Sequence, residues 1–414
     1  MHLTHLSLTN FRNFTRLDVD IPRGPLLLVG DNAQGKTSLL EAVYFLATFV
    51  SFHATSDREL INFLAGREPL AVARIVADIQ RKYTGNSLRV DNESAHRMEV
   101  RIIQERNGYN TTPRIRKEVL LDGIKQKASE TIGIFNSVLF LPHMLRIVEG
   151  APEDRRRYLN LAMAQVLPRY APALSIYNRT LSQRNALLKQ LNERGSDPQQ
   201  LAYWDEQLAT SGAQLIAARI QAIHELEHLA ARIHSELTRG KEILRLDYQP
   251  AYDPLPKRPQ QYALPLDAPV DRSNLPVDKI RGGFIECLTR LHKEEIARGV
   301  TTIGPHRDEL RFLGNGIDLG TYGSRGQART AVLALKLAEV VWMREKTGEW
   351  PVLLLDEVLA ELDTERRADL LSRLAESEQT MLTTTDLDLF SDNFVSRATL
   401  WYIRAGRLVD AKVG

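Results

Sequence analysis

Gly30-Asp31-Asn32-Ala33-Gln34-Gly35-Lys36-Thr37 is the stretch that decides the fold. It meets every fixed position of the pattern G-x-x-x-x-G-K-[ST]. The apolar run Leu26-Leu27-Leu28-Val29 leads into it, and Ser38 to Phe49 follows with the Ala-rich, apolar character of a packed helix. In that strand–loop–helix setting the glycines let backbone N–H groups curl around phosphate oxygens, and the helix points its positive end at them. On this reading Gly30, Asp31, Asn32, Ala33, Gln34, Gly35, Lys36, Thr37 and Ser38 hold a nucleotide. Lys36 reaches the β- and γ-phosphates and Thr37 ligates Mg²⁺, so the expected cofactors are ATP and Mg²⁺.

The complementary half is Pro351-Val352-Leu353-Leu354-Leu355-Asp356-Glu357. An apolar strand ending in an acid places the Asp356 carboxylate in the Mg²⁺ shell, and Glu357 is positioned to polarise an attacking water. Lys36, Asp356 and Glu357 are therefore the expected catalytic residues, with Thr37 and Asp356 on the metal. Lys36 and Asp356 lie 320 positions apart yet must meet at one nucleotide. The chain between them has to loop out and return.

Periodicity outlines what loops out. Residues 1–20 alternate like strands, as do 69–79 and 97–103, and Val119 to Gly123 ends in a hairpin-type Asp-Gly turn. The polar stretch Arg81 to His96 reads as a loop. After Gly150-Ala151-Pro152-Glu153-Asp154, with proline and acids at a helix start, the pattern turns helical. Leu174, Tyr177, Leu181, Leu188 and Leu191 form a seam in which Arg184 takes the missing position. Gly195 stops that helix and Asp197-Pro198 restarts one carrying Leu201, Trp204, Leu208, Leu215, Ala218 and Ala222. The pair predicts either a coiled-coil-like arm or an ordinary helical bundle. Tyr248 to Asp278 is proline-rich and reads as an irregular connection. The expected organisation is an α/β head formed from both chain ends, residues 1–145 and 299–414, with a helical insert over 146–298.

The 414 residues carry 54 Lys plus Arg against 52 Asp plus Glu, a net charge of +2, so any nucleic-acid surface must come from local clustering. The apolar fraction of 43% excludes a largely disordered chain. Cys287, the single cysteine, excludes an internal disulfide and a cysteine-cluster metal site. No window is apolar enough for a membrane span and the first residues do not read as a signal peptide. A cytosolic location, at the nucleoid, and no membrane partner are the expectation.

A third element, Ser324-Arg325-Gly326-Gln327, precedes a long apolar helix some thirty residues before Asp356. It resembles the Ser-x-Gly-Gln loop of ABC-class ATPases. Taken together, Leu8 to Phe14, the phosphate loop with Glu41-Ala42-Val43-Tyr44, Glu153 to Leu159, Gln183 to Leu188, Gly304-Pro305-His306-Arg307-Asp308, Ser324 to Gln327 and Leu354 to Asp363 resemble, in order, the RecF family. These are bacterial recombination-mediator ATPases related to the heads of SMC proteins. The resemblance implies an ABC/SMC-type head with an α-helical, coiled-coil-like arm and ATP sandwiched in a homodimer. Ser324, Gly326 and Gln327 would face the γ-phosphate held by the other subunit, and Arg12 and Asp363 would join the nucleotide-contacting set. It also implies action at gapped DNA or single-strand/double-strand junctions, with RecO and RecR, to help RecA replace single-strand-binding protein. The loop Leu141-Pro142-His143-Met144 lacks the ABC glutamine and Met381 to Asp386 lacks the switch histidine, which implies slow hydrolysis.

Residues 151–195 hold eight Lys or Arg against three acids. Phosphate neutralisation dominates affinity for DNA, which makes Arg155, Arg156, Arg157, Arg179, Arg184 and Lys189 candidate contacts. No base-reading motif accompanies them. An ABC transporter subunit would carry the missing glutamine and histidine and lack the insert. An overcoming-lysogenisation-type nuclease needs a further metal-binding nuclease domain after the ATPase, and only 51 of the 414 residues follow Asp363. A nucleotide-gated DNA clamp with negligible turnover shares every motif.

Overall fold

The computed structural model describes residues 1–82, 93–106, 113–195, 197–255, 272 and 274–413, and the chain divides into two compact units. Both chain ends, Met1–His143 and Met343–Gly414, make the first unit, and Met144–Trp342 the second.

In the first unit β1 (His2–Phe11), β2 (Phe14–Asp20), β3 (Gly24–Val29), β4 (Leu70–Lys82), β5 (Glu93–Glu105), β6 (Arg114–Leu121), β7 (Ile124–Gln126) and β8 (Ser137–Phe140) come from the amino-terminal segment. Helix α1 (Lys36–Thr48) follows β3. An antiparallel sheet runs β2-β1-β4-β5-β6-β7. Its strands extend to Lys82 and resume at Glu93, so the polar stretch expected as a loop is strand at both ends.

The second sheet of this unit positions the site. The remaining strands of the unit, counted after the three of the other unit, are β12 (Val352–Asp356), β13 (Gln379–Thr384), β14 (Thr399–Arg404) and β15 (Arg407–Val413). They order as β15-β14-β3-β13-β12-β8, parallel from β14 to β8. Leu26, Leu27 and Leu28, like Val352 to Leu355, are buried, as expected for parallel strands covered on both faces. The phosphate-loop strand β3 and the acid-ended strand β12 are not neighbours: β13 lies between them and pairs with both.

The second unit holds α2 (Pro152–Val166), α3 (Tyr170–Arg194), α4 (Leu201–Leu237) and α5 (Val277–Arg298), with β9 (Leu244–Gln249), β10 (Glu309–Gly314) and β11 (Ile317–Asp318) in a three-stranded sheet. Gly195, at φ 63°, ends α3, and Asp197 caps the restart, as the sequence indicates. Helix α5 packs on both α3 and α4, so the pair is completed as a three-helix bundle. Tyr177, Leu188, Leu191, Leu208, Leu215 and Ile233 are buried in it. The expected boundary at 298/299 is corrected here. Residues 299–342 belong to this unit because β10 pairs along its whole length with β9. Helix α6 (Arg325–Thr347) crosses the boundary at Met343, and α7 (Thr364–Leu374) lies in the first unit. Most of the proline-rich 248–278 connection lies outside the described residues.

Candidate functional site

The phosphate loop is shaped by what surrounds it. Gly30 sits at φ 155° with the Ile403 carbonyl oxygen only 2.4 Å from where a Cβ would be, so no side chain fits. Gln34 is gripped by the β14–β15 turn: Ala405 N donates to its Oε1 (2.8 Å) and Gly406 N to its carbonyl (2.8 Å). Asn13 Nδ2 donates to the same carbonyl at 3.0 Å. Gly35, at φ 117°, then starts α1, whose first backbone N–H groups open toward the loop.

Lys36 is 3% exposed, its ammonium held by the carbonyl oxygens of Gly30 (2.5 Å) and Asp31 (3.0 Å) and lying 3.4 Å from Glu357 Oε1. Thr37 Oγ1 donates to the Asp356 carboxylate at 2.8 and 3.0 Å. Thr383, at the end of β13, donates its hydroxyl to Asp356 Oδ1 (2.8 Å) and accepts from Glu357 N (2.9 Å). Thr383 thus braces Asp356 and Glu357 from the intervening strand, while Thr37 makes the bond that joins the two motifs. Glu357 turns at φ 52° to aim its half-exposed carboxylate at the loop.

Asp356 is buried, yet the partners of its carboxylate are the Thr37 and Thr383 hydroxyls, and no cation pairs with it among the described residues. An uncompensated buried carboxylate beside a threonine hydroxyl suits a hard divalent cation that takes one or two protein oxygens and completes its shell with phosphates. The residues therefore fit Mg²⁺ with a nucleotide. A cavity of about 670 Å³ opens over them. Arg12, Asn13, residues 31–38 and Glu357 line it, with Glu59 and Ile61 to Leu64 along another side.

Arg12 reaches this cavity, but its fork is committed. It donates to both oxygens of buried Glu41 (2.6 and 2.7 Å) and to the Glu59 carbonyl (3.0 Å). Glu41 also accepts from Ser51. In the second unit Ser324 and Gln327 close a reciprocal capping box at the start of α6, N to Oε1 at 3.0 Å and N to Oγ at 3.2 Å. Gln327 Nε2 donates to Glu242, and Ser324 and Gly326 are exposed. Asp363 caps α7 through Arg366 N at 2.9 Å. None of Ser324, Gly326, Gln327 and Asp363 lines the cavity over the phosphate loop.

Two of the six predicted DNA contacts are corrected. Arg184 has no exposed surface: it pairs with Asp205 (2.7 Å) and Glu295 (2.6 Å) and donates to Thr301. It holds the bundle together and meets no duplex. Arg155 is committed to both oxygens of Glu309 and to the carbonyls of Val148 and Gly150. Arg157, Arg179 and Lys189 are exposed, and Arg156 is half-buried against the Asp308 carbonyl.

A parallel sheet built from both chain ends, carrying a phosphate loop and an acid-ended strand joined by the Thr37–Asp356 bond, defines an ATPase head of the ABC/SMC class. The family model described as RecF/RecN/SMC N terminal domain matches residues 2–398. The DNA replication and repair protein RecF of Roseiflexus castenholzii is 40% identical over 99% of this chain and 100% of its own, and that of Enterococcus faecalis 35% over 99% and 98%. The structure of the recombination mediator protein RecF with ATPrS, in the RecFOR pathway, superposes with a TM-score of 0.78 at 30% identity, covering 98% of this chain and 97% of that one. A Smc head domain from Pyrococcus furiosus, at 16% identity and a TM-score of 0.51, shares the fold alone. The chain belongs to the RecF family. Among the described residues no helix is long and apolar enough to cross a membrane.

Proposed function

We propose that this chain is an ATP-dependent, DNA-binding recombination mediator. It works at gapped or junction DNA in repair and replication and, with RecO and RecR, helps load RecA and so supports the SOS response. The observation that carries the nucleotide part is the convergence of Thr37 and Lys36 on Asp356 and Glu357, with no cation on Asp356 among the described residues. The DNA part rests on family membership across 99% of the chain and on exposed Arg157, Arg179 and Lys189.

The loop N–H groups and Lys36 hold the phosphates, Thr37 and Asp356 hold Mg²⁺, and Gly30 and Gly35 keep the backbone close. Bound Mg²⁺ with ATP supplies a neutralised, polarised γ-phosphate. Glu357 takes a proton from the attacking water, turnover is slow because no switch histidine assists it, and DNA stimulates it as family membership implies. Ser324, Gly326 and Gln327 of a second copy face that phosphate, so ATP shifts a monomer–dimer equilibrium on DNA. The binding chemistry at the duplex is backbone contact, through Arg156, Arg157, Arg179 and Lys189.

Sedimentation velocity with ATP and a gapped duplex tests this. The parent is expected to dimerise, and Lys36→Met and Ser324→Arg to stay monomeric. Glu357→Gln should still dimerise while its turnover drops by about 100-fold or more. A parent that stays monomeric at saturating ATP, or a Ser324→Arg that dimerises normally, would refute the composite site. Unchanged turnover in Glu357→Gln would remove its assigned role.

A further inference from the structure

The motif Gly304-Pro305-His306-Arg307-Asp308 is absorbed by none of the steps above, and its side chains go in alternating directions. His306 turns inward, Nδ1 to the Tyr177 hydroxyl (2.7 Å) and Nε2 to the Thr301 carbonyl (3.2 Å). Asp308 is buried and accepts from Arg219 (2.6 Å), Tyr248 (2.6 Å) and Ala251 N (2.9 Å). Gly304 has φ 119°, and a Cβ there would meet the Tyr177 hydroxyl at 2.5 Å. Between these anchors Arg307 points out. It is exposed, and no carboxylate lies within ion-pairing distance of it among the described residues.

A second cation stands beside it. Arg156 Nη1 donates to the Asp308 carbonyl at 2.9 Å, one peptide from Arg307, and both guanidinium groups are within electrostatic reach of the His306 ring. Of the three acids that act on Arg156, Asp308 is taken by Arg219 and Glu309 by Arg155, which leaves exposed Glu153 as the one a phosphate would compete with. Burial, and then the charge of Arg219, push the Arg156 pKa below its ordinary value. A cation so placed gains from an anion brought next to it.

We propose that Arg307 and Arg156 together form a phosphodiester-binding site that grips one backbone phosphate of bound DNA. This rests on the DNA-binding reading above and adds to it Arg307, a contact outside the predicted basic set, as the fixed partner of Arg156. Planar guanidinium forks match phosphate oxygens in pairs. Because His306 and Asp308 are locked on either side, the backbone that presents Arg307 needs no further ordering on binding. The pair reads charge and spacing and no base.

Fluorescence anisotropy with a gapped duplex and ATP, over a series of salt concentrations, tests the site. Arg307→Ala should bind about fivefold more weakly at 0.1 M salt, with a slope of log K against log salt shallower by about one. Arg307→Lys should keep most of the slope. Arg16→Ala, an exposed residue in the other unit, sets the effect of losing any surface charge. An Arg307→Ala that matches Arg16→Ala overturns the site and leaves the DNA-binding reading standing. A parent that binds no DNA at any salt overturns both. Calorimetry with inorganic phosphate alone covers the other source of the anion: Arg307-dependent uptake at sub-millimolar phosphate would overturn the assignment to duplex.

Discussion

Asp356 places its carboxyl in a buried position with hydroxyls around it, and that one residue explains the layout of the site. Its role, and those of Lys36 and Thr37, were legible because their chemistry needs fixed residue types at fixed spacing. Thr383 was not legible. A threonine is unremarkable in a strand, and only the order β3-β13-β12 brings it between the two motifs. At the same scale His306 makes a pH prediction. Burial holds the ring neutral and pushes its pKa down to about 4, and the bond to the Thr301 carbonyl raises it only in part. Between pH 6.5 and 4 the unfolded chain therefore binds the extra proton, so stability is present at neutral pH and is lost as pH falls through that window. The loss over the whole window is on the order of 3 kcal/mol. Urea midpoints at pH 7.5 and 5 should differ for the parent and differ measurably less for His306→Gln.

Helix α3 shows how two readings of one element compete. The seam from Tyr177 to Leu191 argues that Arg184 faces inward, whereas the local charge excess argues that it faces a duplex. Burial decides, because Asp205 on α4 and Glu295 on α5 offer the guanidinium two carboxylates inside the bundle. Arg184→Ala leaves those carboxylates with His292 and local donors only and is expected to destabilise the protein by about 3–5 kcal/mol. Arg179→Ala, on the exposed side of the same helix, should change thermal stability little while weakening DNA binding. Equal melting temperatures for Arg184→Ala and the parent would contradict the assignment. At the start of α6 the reciprocal bonds of Ser324 and Gln327 are those of any good helix cap, so their role toward a nucleotide belongs to the assembled dimer and not to the element.

For the whole molecule, the discontinuous first unit has a direct consequence. Among the described residues β3 pairs only with β13 and β14, and β8 only with β12, all supplied by residues after Met343. Residues 1–143 expressed alone are therefore expected to aggregate or remain unfolded, and co-expression with 343–414 should recover soluble complex. A soluble, cooperatively melting 1–143 fragment would contradict this. The strands' apolar runs, the phosphate loop, the acid-ended strand and the need for the chain to return over 320 positions were determined by the sequence alone, because each is a local pattern or a distance constraint. Only the tertiary structure decided that residues 299–342 join the second unit, that Arg155 is paired and Arg184 buried, and that Arg307 meets no carboxylate among the described residues. Strand pairing and ion-pair partners are long-range choices, and charge or periodicity along the chain does not encode which acid a cation will meet.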